Sequence, residues 1–288
     1  MIYLFIKNNK SEFPIEKMAH FLSIPKSSYY RWLSGKKSIR EKKDSCILEK
    51  IKVIYTKSKK TYGAMKITME LKKSNLVYDK KKIARIMSKN QIFSIKTKKF
   101  RIQTTVVDKN ATYSPNLLDR KFQVNLPNKV WVSDITYIQT KQKVVYLCTV
   151  LDLYSRKIVG WAMADNMKTS LVVKAFTKAY RSRKPETGLL FHSDRGSQYT
   201  SKKFRKLMEL LKINQSMSRK GNCWDNSCAE SFFGNLKTET VYPNKMYLNE
   251  EEARADIFQY IEIFYNKNRS HSYLGFISPE EYEMRNVA

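Results

Sequence analysis

Three β-type runs follow one another from residue 129 with barely a turn between them: KVWVSDITYIQT, KVVYLCTVLDLYS and RKIVGWAMAD. Val, Ile, Tyr, Trp and Thr dominate them, the residues that suit a pleated, half-buried surface. A helical stripe comes next over 169–182, with Leu171, Val172, Ala175, Phe176 and Ala179 on one face. GLLFHSDRG then reads as a fourth strand ending in polar residues, KKFRKLMELLKI as a helix and NQSMS as a short fifth strand. Three adjacent strands, then helix, strand, helix, strand and helix, predict an α/β fold: a mixed five-stranded sheet with flanking helices. In that order the first and fourth strands are neighbours.

Ahead of the strands the grammar is helical. Ile15, Met18, Ala19 and Leu22 recur at helical spacing, and Pro25 breaks the pattern because it fits only a first helical turn. A second short helix carries Tyr29, Tyr30, Trp32 and Leu33 and stops at Gly35. The pair is helix-turn-helix-like, a pattern that any αα-hairpin shares. Ile47, Ile51, Ile54 and Tyr55 form another stripe, TYG at 61–63 interrupts, and Met65, Ile67, Met69 and Leu71 fall in the next helix. Asp79 is an expected N-cap for a third helix, with Ile83, Ile86 and Met87 inside. Its outer face holds Lys80, Lys81, Lys82, Arg85 and Lys89, a candidate DNA-recognition surface whose competing reading is a solvated helix face. Residues 94–125 turn basic, then polar, with little periodicity. The tail is helical over 250–266 and ends in a loop, NRSHSYLGFISPEEY. The expected division is a helix-turn-helix-like segment at 1–45, a basic helical DNA-binding domain at 46–100, a linker at 101–125, a catalytic core at 126–240 and a helical extension of it at 241–288.

Charge names the partner class. The chain carries 55 Lys and Arg against 26 Asp and Glu, and residues 1–100 hold 26 of the basic and 7 of the acidic ones. Such a surface favours a polyanion, and nucleic acid is the commonest. No apolar run approaches the roughly 18 residues of a membrane span, so no membrane partner is expected. The start, MIYLFIKNNK, places its cationic residues after the apolar patch, the reverse of a signal peptide, so a cytoplasmic protein is expected, nucleoid-associated where its partner is DNA. Four cysteines in a long chain without such a leader argue against a disulfide framework.

Three carboxylates are candidates for one site. Asp134 interrupts the apolar run of the first strand, and Asp194 closes the fourth. A buried acid is costly unless it is paired or binds a cation. In RKGNCWDNSCAESFFGNLKTE, Ala229, Phe232, Phe233 and Leu236 make a helical apolar stripe, with Asp225 as the expected N-cap. Glu230 lies about 110° from the centre of that stripe, and Asn226 and Lys237 fall within about 20–40° of Glu230. That polar strip borders the buried face and can look across at the sheet edge. Three converging acids repel one another unless a cation sits between them, and hard divalent ions prefer oxygen ligands. Two such ions about 3.5–4 Å apart support in-line phosphoryl transfer, so Mg²⁺ or Mn²⁺ is the expected cofactor. The plain alternatives are a satisfied core acid at Asp134, a turn cap at Asp194 before Gly196 and a surface acid at Glu230.

Other residues rank lower. Asp152, at a strand end before Arg156, suits a structural hydrogen bond or ion pair better than metal ligation. His192, two residues before Asp194, is a supporting candidate. Arg269 and His271 in NRSHS are candidate DNA contacts against a packing role, and Tyr29, Tyr30 and Arg31 are candidates on the earlier helix pair. Cys223 and Cys228 make a poor zinc site, because no CxxC pair is present and the three histidines lie far away in sequence. They read as small packing thiols. No glycine-rich phosphate loop points to ATP.

At this point the motifs form a recognisable set. WVSDITYI, YLCTVLDLYSRKIVGW, FHSDRGSQYTS, SMSRKGNCWDNSCAESFFGNLKTE and YNKNRSHSYLGFISPEEY resemble the integrase-like core of bacterial insertion-sequence transposases, over residues 129–275. More narrowly, the chain resembles the second-frame (orfB) product of the IS-three group, with SSYYRW and SKKTYGAMKI matching its N-terminal region. That resemblance implies a ribonuclease-H-like core and a catalytic, metal-binding triad of Asp134, Asp194 and Glu230. Asp194 and Glu230 have 35 residues between them and Lys237 stands seven after the Glu, as the family pattern asks. It also implies metal-dependent cleavage at element ends and strand transfer, on terminal inverted repeats and target DNA. A homo-multimer on DNA and a first-frame (orfA) partner or fusion are further implications. A nuclease of the same fold without strand transfer, and a DNA-binding regulator with an inactive core, are the rival readings.

Overall fold

The computed structural model describes residues 1–35, 37–95, 113–243 and 246–286, apart from the side chain of Cys223. Three short helices open the chain: α1 (Ile2–Asn8), α2 (Ile15–Phe21) and α3 (Lys26–Leu33). They close around Ile6, Met18 and Tyr29. Tyr29 is 0% exposed, ringed by Tyr3, Tyr30 and Trp32, so this expected DNA contact is interior packing. Tyr30 and Arg31 remain exposed.

Next comes α4 (Ile39–Lys57), started by a capping box in which Ser38 and Glu41 bond each other's backbone. It runs unbroken through residues 45 and 46, where a domain division was expected; the start signal at Ser38 sets the helix boundary instead. With α5 (Ala64–Lys73) and α6 (Lys80–Lys89) it buries Ile47, Ile51, Ile67, Leu71, Ile83, Ile86 and Met87, the stripes expected from the sequence. Asp79 stands at the N-cap of α6 without a side-chain capping bond. The first part of the expected linker, 101–112, lies outside the described residues; its later part lies against the core, with Leu118 buried.

The core sheet has the order β3-β2-β1-β4-β5. Its strands are β1 (Val130–Gln139), β2 (Val144–Asp152), β3 (Ile158–Ala164), β4 (Leu190–Ser193) and β5 (Asn214–Met217). Short connections make β1, β2 and β3 antiparallel; the crossover through α7 (Thr169–Arg183) makes β4 parallel to β1. Two helices, α8 (Ser197–Thr200) and α9 (Lys202–Leu210), lead to β5. One sheet face packs Trp131, Cys148, Val150 and Phe191 against the α7 stripe and Phe204 of α9. The other packs Val132, Ile138, Leu147 and Leu151 against α10 (Ser227–Leu236) and the C-terminal helices. Ala229, Phe232, Phe233 and Leu236 are the buried side of α10. Phe232 meets Tyr265 edge-on, with ring centroids 4.8 Å apart.

Beyond α10 the helix widens into a π turn, Lys237–Val241, which the expected division at 240/241 cuts. The tail helix begins as α11 (Glu250–Phe258) and continues as a π-helical stretch, Gln259–Tyr265. A last helix, α12 (Pro279–Asn286), forms where a loop was expected. Pro279 stands at its first position, where a missing N–H is no loss. Among the described residues no helix is long and apolar enough to cross a membrane.

Gly160 of β3 lets α7 approach the sheet closely. A Cβ there would lie 2.5 Å from Ala175 O and 2.7 Å from Ala179 Cβ. Gly160→Ala is therefore expected to destabilise the core by about 1–3 kcal/mol, seen as a lowered urea midpoint.

Candidate active site

The β1–β4 register builds the first half of the site. Val130 pairs with Leu190, Trp131 with Phe191 and Val132 with His192. Carried two residues further, the register sets Asp134 beside Asp194, across strands about 4.8 Å apart. Asp134 is in phase with Val132 and Ile138, so it points to the layer packed by α10. Its Oδ1 accepts from the N–H of Ile135 at 2.8 Å. Asp194 Oδ1 accepts from the N–H of Gly196 at 2.9 Å. The turn chemistry anticipated for D-R-G is thus present, and it orients the carboxylate.

The stripe of α10 supplies the second half. It lies against β1, with Glu230 on its exposed side. Asp134 carries the electrostatic signature of convergence. Burial pushes its carboxyl well above the usual range, and the charges of Asp194 and Glu230 push it further. The Ile135 N–H and the Lys237 ammonium pull it back. Glu230 is raised by burial. Lys237 is lowered by burial and raised by Asp134, and its Nζ lies 4.6 Å from the centre of the Tyr137 ring.

The donor set suits a hard divalent cation: three carboxylates, with mutual repulsion as the problem an ion relieves. Among the described residues, no three His, Cys, Asp or Glu side chains are gathered closely enough to hold one ion together. Asp134 lies in β1 and Asp194 just past the end of β4, while Glu230 is exposed on α10.

Asn226 was an expected DNA contact and is interior instead. Its Nδ2 donates to Ser133 O at 3.2 Å, tying the start of α10 to β1 next to Asp134, while its Oδ1 is buried without a hydrogen-bond partner. Asn226, not Asp225, is the N-cap position, and it makes no side-chain cap bond. Asp225 lies in the 3₁₀ turn Cys223–Asn226, fully buried, and is caged. Arg219 donates to it from backbone N at 2.9 Å, from Nε at 3.0 Å and from Nη2 at 2.8 Å. Arg120 Nε donates at 2.9 Å and Asn116 Nδ2 at 3.1 Å. The Arg219 pair holds its carboxyl far below the usual carboxylate range. This clamp joins the segment before the sheet to the approach of the Glu230 helix. The sequence signal for it, an acid between Arg219 and a helix start, was open to the simpler capping reading.

His192 is buried, with Nδ1 2.8 Å from Ser216 Oγ and Nε2 3.2 Å from Ser218 Oγ. Burial pulls it down to about 4, so it is a neutral brace between β4 and β5. Asp152 accepts from the N–H groups of Asn128 at 2.8 Å and Tyr154 at 3.0 Å, with Arg183 at 3.5 Å. It holds a strand end and does not face the carboxylates. Arg269 is also interior. Its guanidinium donates to Glu239 at 2.8 Å from Nε and at 2.7 Å from Nη2, which takes it away from a DNA-facing surface. His271 is half-buried, edge-on to Tyr265 at 4.8 Å, so it too serves packing. Cys228 is half-buried and accepts from Arg156 at 2.7 Å. On α6, Lys80, Lys81 and Lys89 are exposed, Lys82 lies over Tyr78, and Arg85 pairs with Asp44 at 2.6 Å.

The sheet order and the helices on both of its faces define the class: an integrase-type core, the fold of polynucleotidyl transferases. Family models described as integrase core domain match residues 124–223 and 230–287, and one described as HTH-like domain matches 41–100. The transposase InsF for insertion sequence IS3A of Escherichia coli (strain K12) is 34% identical over 100% of both chains. An uncharacterized 31 kDa protein of insertion element IS600 of Shigella sonnei is 39% identical over 91% of this chain and 96% of its own. The catalytic core domain of HTLV-2 integrase, solved with magnesium, overlays with a TM-score of 0.43 at 15% identity, over 55% of this chain and 97% of that one. The chain belongs to the insertion-sequence transposase family of InsF: it is a DNA transposase with an integrase core.

The Asp225 clamp makes a testable contribution to stability. Asp225→Asn is expected to lower stability by about 1–3 kcal/mol at pH 7, because the arginines it holds stay half-exposed and rehydrate. The carboxylate pKa is depressed on folding, so its contribution is full above the usual carboxylate range and is lost as pH falls through the depressed value. Urea titrations should show a constant gap between wild type and variant from pH 8 to about 5, closing in stronger acid.

Proposed function

We propose that this transposase cuts DNA at the ends of its insertion sequence and joins the exposed 3′-hydroxyls to a target, with Asp134, Asp194 and Glu230 holding divalent Mg²⁺ or Mn²⁺, two ions per site. The observation that carries this reading is the placement of Asp134, half-buried in the central strand β1, beside β4, whose end leads into Asp194, and under the helix that bears Glu230. A bound divalent ion supplies Lewis-acid polarisation of the phosphoryl group and a lowered pKa for the attacking hydroxyl. Asp134 and Asp194 form the rigid floor, on adjacent strands. Glu230 approaches from α10, and Lys237, on the same side, contacts a phosphate oxygen beside the scissile bond. No side chain acts as a covalent nucleophile, since the attacking groups are water and then the 3′-hydroxyl.

The exposed lysines of α6, Lys80, Lys81 and Lys89, with Lys82, hold the phosphates of the terminal inverted repeats. Arg85, committed to Asp44, shapes that face, and Tyr30 and Arg31 on α3 are further exposed DNA contacts. Two DNA ends have to be held together, so the active form is a homo-multimer on DNA, alone or with a first-frame product, and it works at the nucleoid in the cytoplasm.

Incubating the protein with labelled element ends and Mg²⁺ or Mn²⁺ tests this. Joined products are expected, abolished by chelation and reduced roughly 100-fold or more by Asp134→Asn and by Glu230→Gln with end binding retained. Cleavage without joining would make the protein a nuclease. Binding alone, indifferent to both substitutions, would make it a regulator.

A further inference from the structure

Two short motifs stand outside the chemistry described so far: TYG in the helical unit and NRSHS after the last π-helical stretch. In the fold they meet. The Tyr62 hydroxyl accepts from Ser270 N at 2.6 Å and donates to Asn268 O at 3.4 Å. Lys66 Nζ covers the Tyr62 ring at 4.9 Å, and Lys59 Nζ stands 6.0 Å from the Phe264 ring. Burial pushes the Tyr62 phenol up to about 12, so it stays a neutral hydrogen-bonding group.

Between the two held positions lies Arg269, turned inward onto Glu239. Both are buried, at 6% and 9% exposure, and they meet as a two-pronged fork that fixes direction as well as distance. Tyr260 OH donates to the same Glu239 carboxylate at 2.8 Å. Glu239 sits in the π turn Lys237–Val241, continuous with α10 and two residues beyond Lys237. A π turn is a poor local minimum and takes its orientation from what it packs against. Contacts therefore run from the helical unit, through one buried ion pair, to the helix that carries Glu230 and Lys237.

We propose that Tyr62, Arg269 and Glu239 form a positioning strut: docking of the helical unit on the Asn268–Ser270 turn sets the orientation of the π turn, and so of Lys237 and Glu230 against Asp134. The strut rests on the catalytic assignment above. Its members are positioning residues that touch neither DNA nor reacting atoms. It gives the protein a direct link between the unit that holds an element end and the site that cuts it.

The test uses the full chain with Tyr62→Phe, which removes one oxygen and keeps the ring. Binding of labelled ends, cleavage and joining at saturating DNA, and amide hydrogen exchange are measured beside wild type and Asp134→Asn. The strut predicts end binding within about twofold of wild type, faster exchange at Ser270 and across 237–241, and a rate at saturating DNA lowered about tenfold. A role in general stability alone would lower binding and rate together, which would count against it. An exposed Ser270 amide with a wild-type rate overturns the strut, as does unchanged protection of Ser270. Activity that survives Asp134→Asn overturns the catalytic assignment and the strut with it. Loss in Asp134→Asn with a wild-type rate in Tyr62→Phe overturns the strut alone.

Discussion

The parallel hydrogen-bonded register between β1 and β4 sets the spacing of Asp134 and Asp194, and most of the core serves to hold it. Two carboxylates set close together, one half-buried in β1 and one just past the end of β4, repel each other and resist desolvation. Left alone, they would push the strands apart or take up a proton, as the raised Asp134 carboxyl indicates. Packing on both faces opposes this. On one side Trp131, Phe176, Phe191 and Phe204 interlock under α7 and α9. On the other, the apolar stripe of α10 lies against β1 and brings Glu230 to the same region.

Much of this was legible in the sequence, for reasons that are local. β-branched and aromatic runs announced the first three strands, and the α7 stripe of Leu171, Val172, Ala175, Phe176 and Ala179 buries the residues its period selects. Strand order alone then made Asp134 and Asp194 neighbours. What misled was the use of residue type to infer exposure. Tyr29, Asn226 and Arg269 have the chemistry of DNA contacts, yet each is buried by partners that periodicity cannot see: an aromatic cluster, the Ser133 carbonyl and Glu239. Asp225 looked like a cap because its nearest context is a helix start. Two of its partners, Arg120 and Asn116, lie about a hundred residues earlier in the chain. Such long-range polar pairs leave almost no trace in a single sequence.

The two halves of the chain divide the work by charge and by rigidity. The first hundred residues hold most of the basic excess, on helices whose small apolar cores leave wide polar faces. The core is less basic and buries larger apolar clusters, one on each face of its sheet. Joining them through Tyr62 and a buried ion pair, in place of a surface salt bridge, makes the connection insensitive to salt and sharply directional. The clamp around Asp225 does comparable work on the other side of α10, fastening the segment before the sheet to the entry of that helix.

The claim on which the account turns is that Asp134, Asp194 and Glu230 close around divalent metal. Anomalous diffraction from crystals of the full chain grown with Mn²⁺ addresses it directly. The account predicts a manganese peak within bonding distance of the Asp134 and Asp194 carboxylates, with Glu230 drawn in from α10. Manganese bound elsewhere in the chain, with the Asp134 carboxylate still turned to the Ile135 N–H and Glu230 still in solvent, would contradict it.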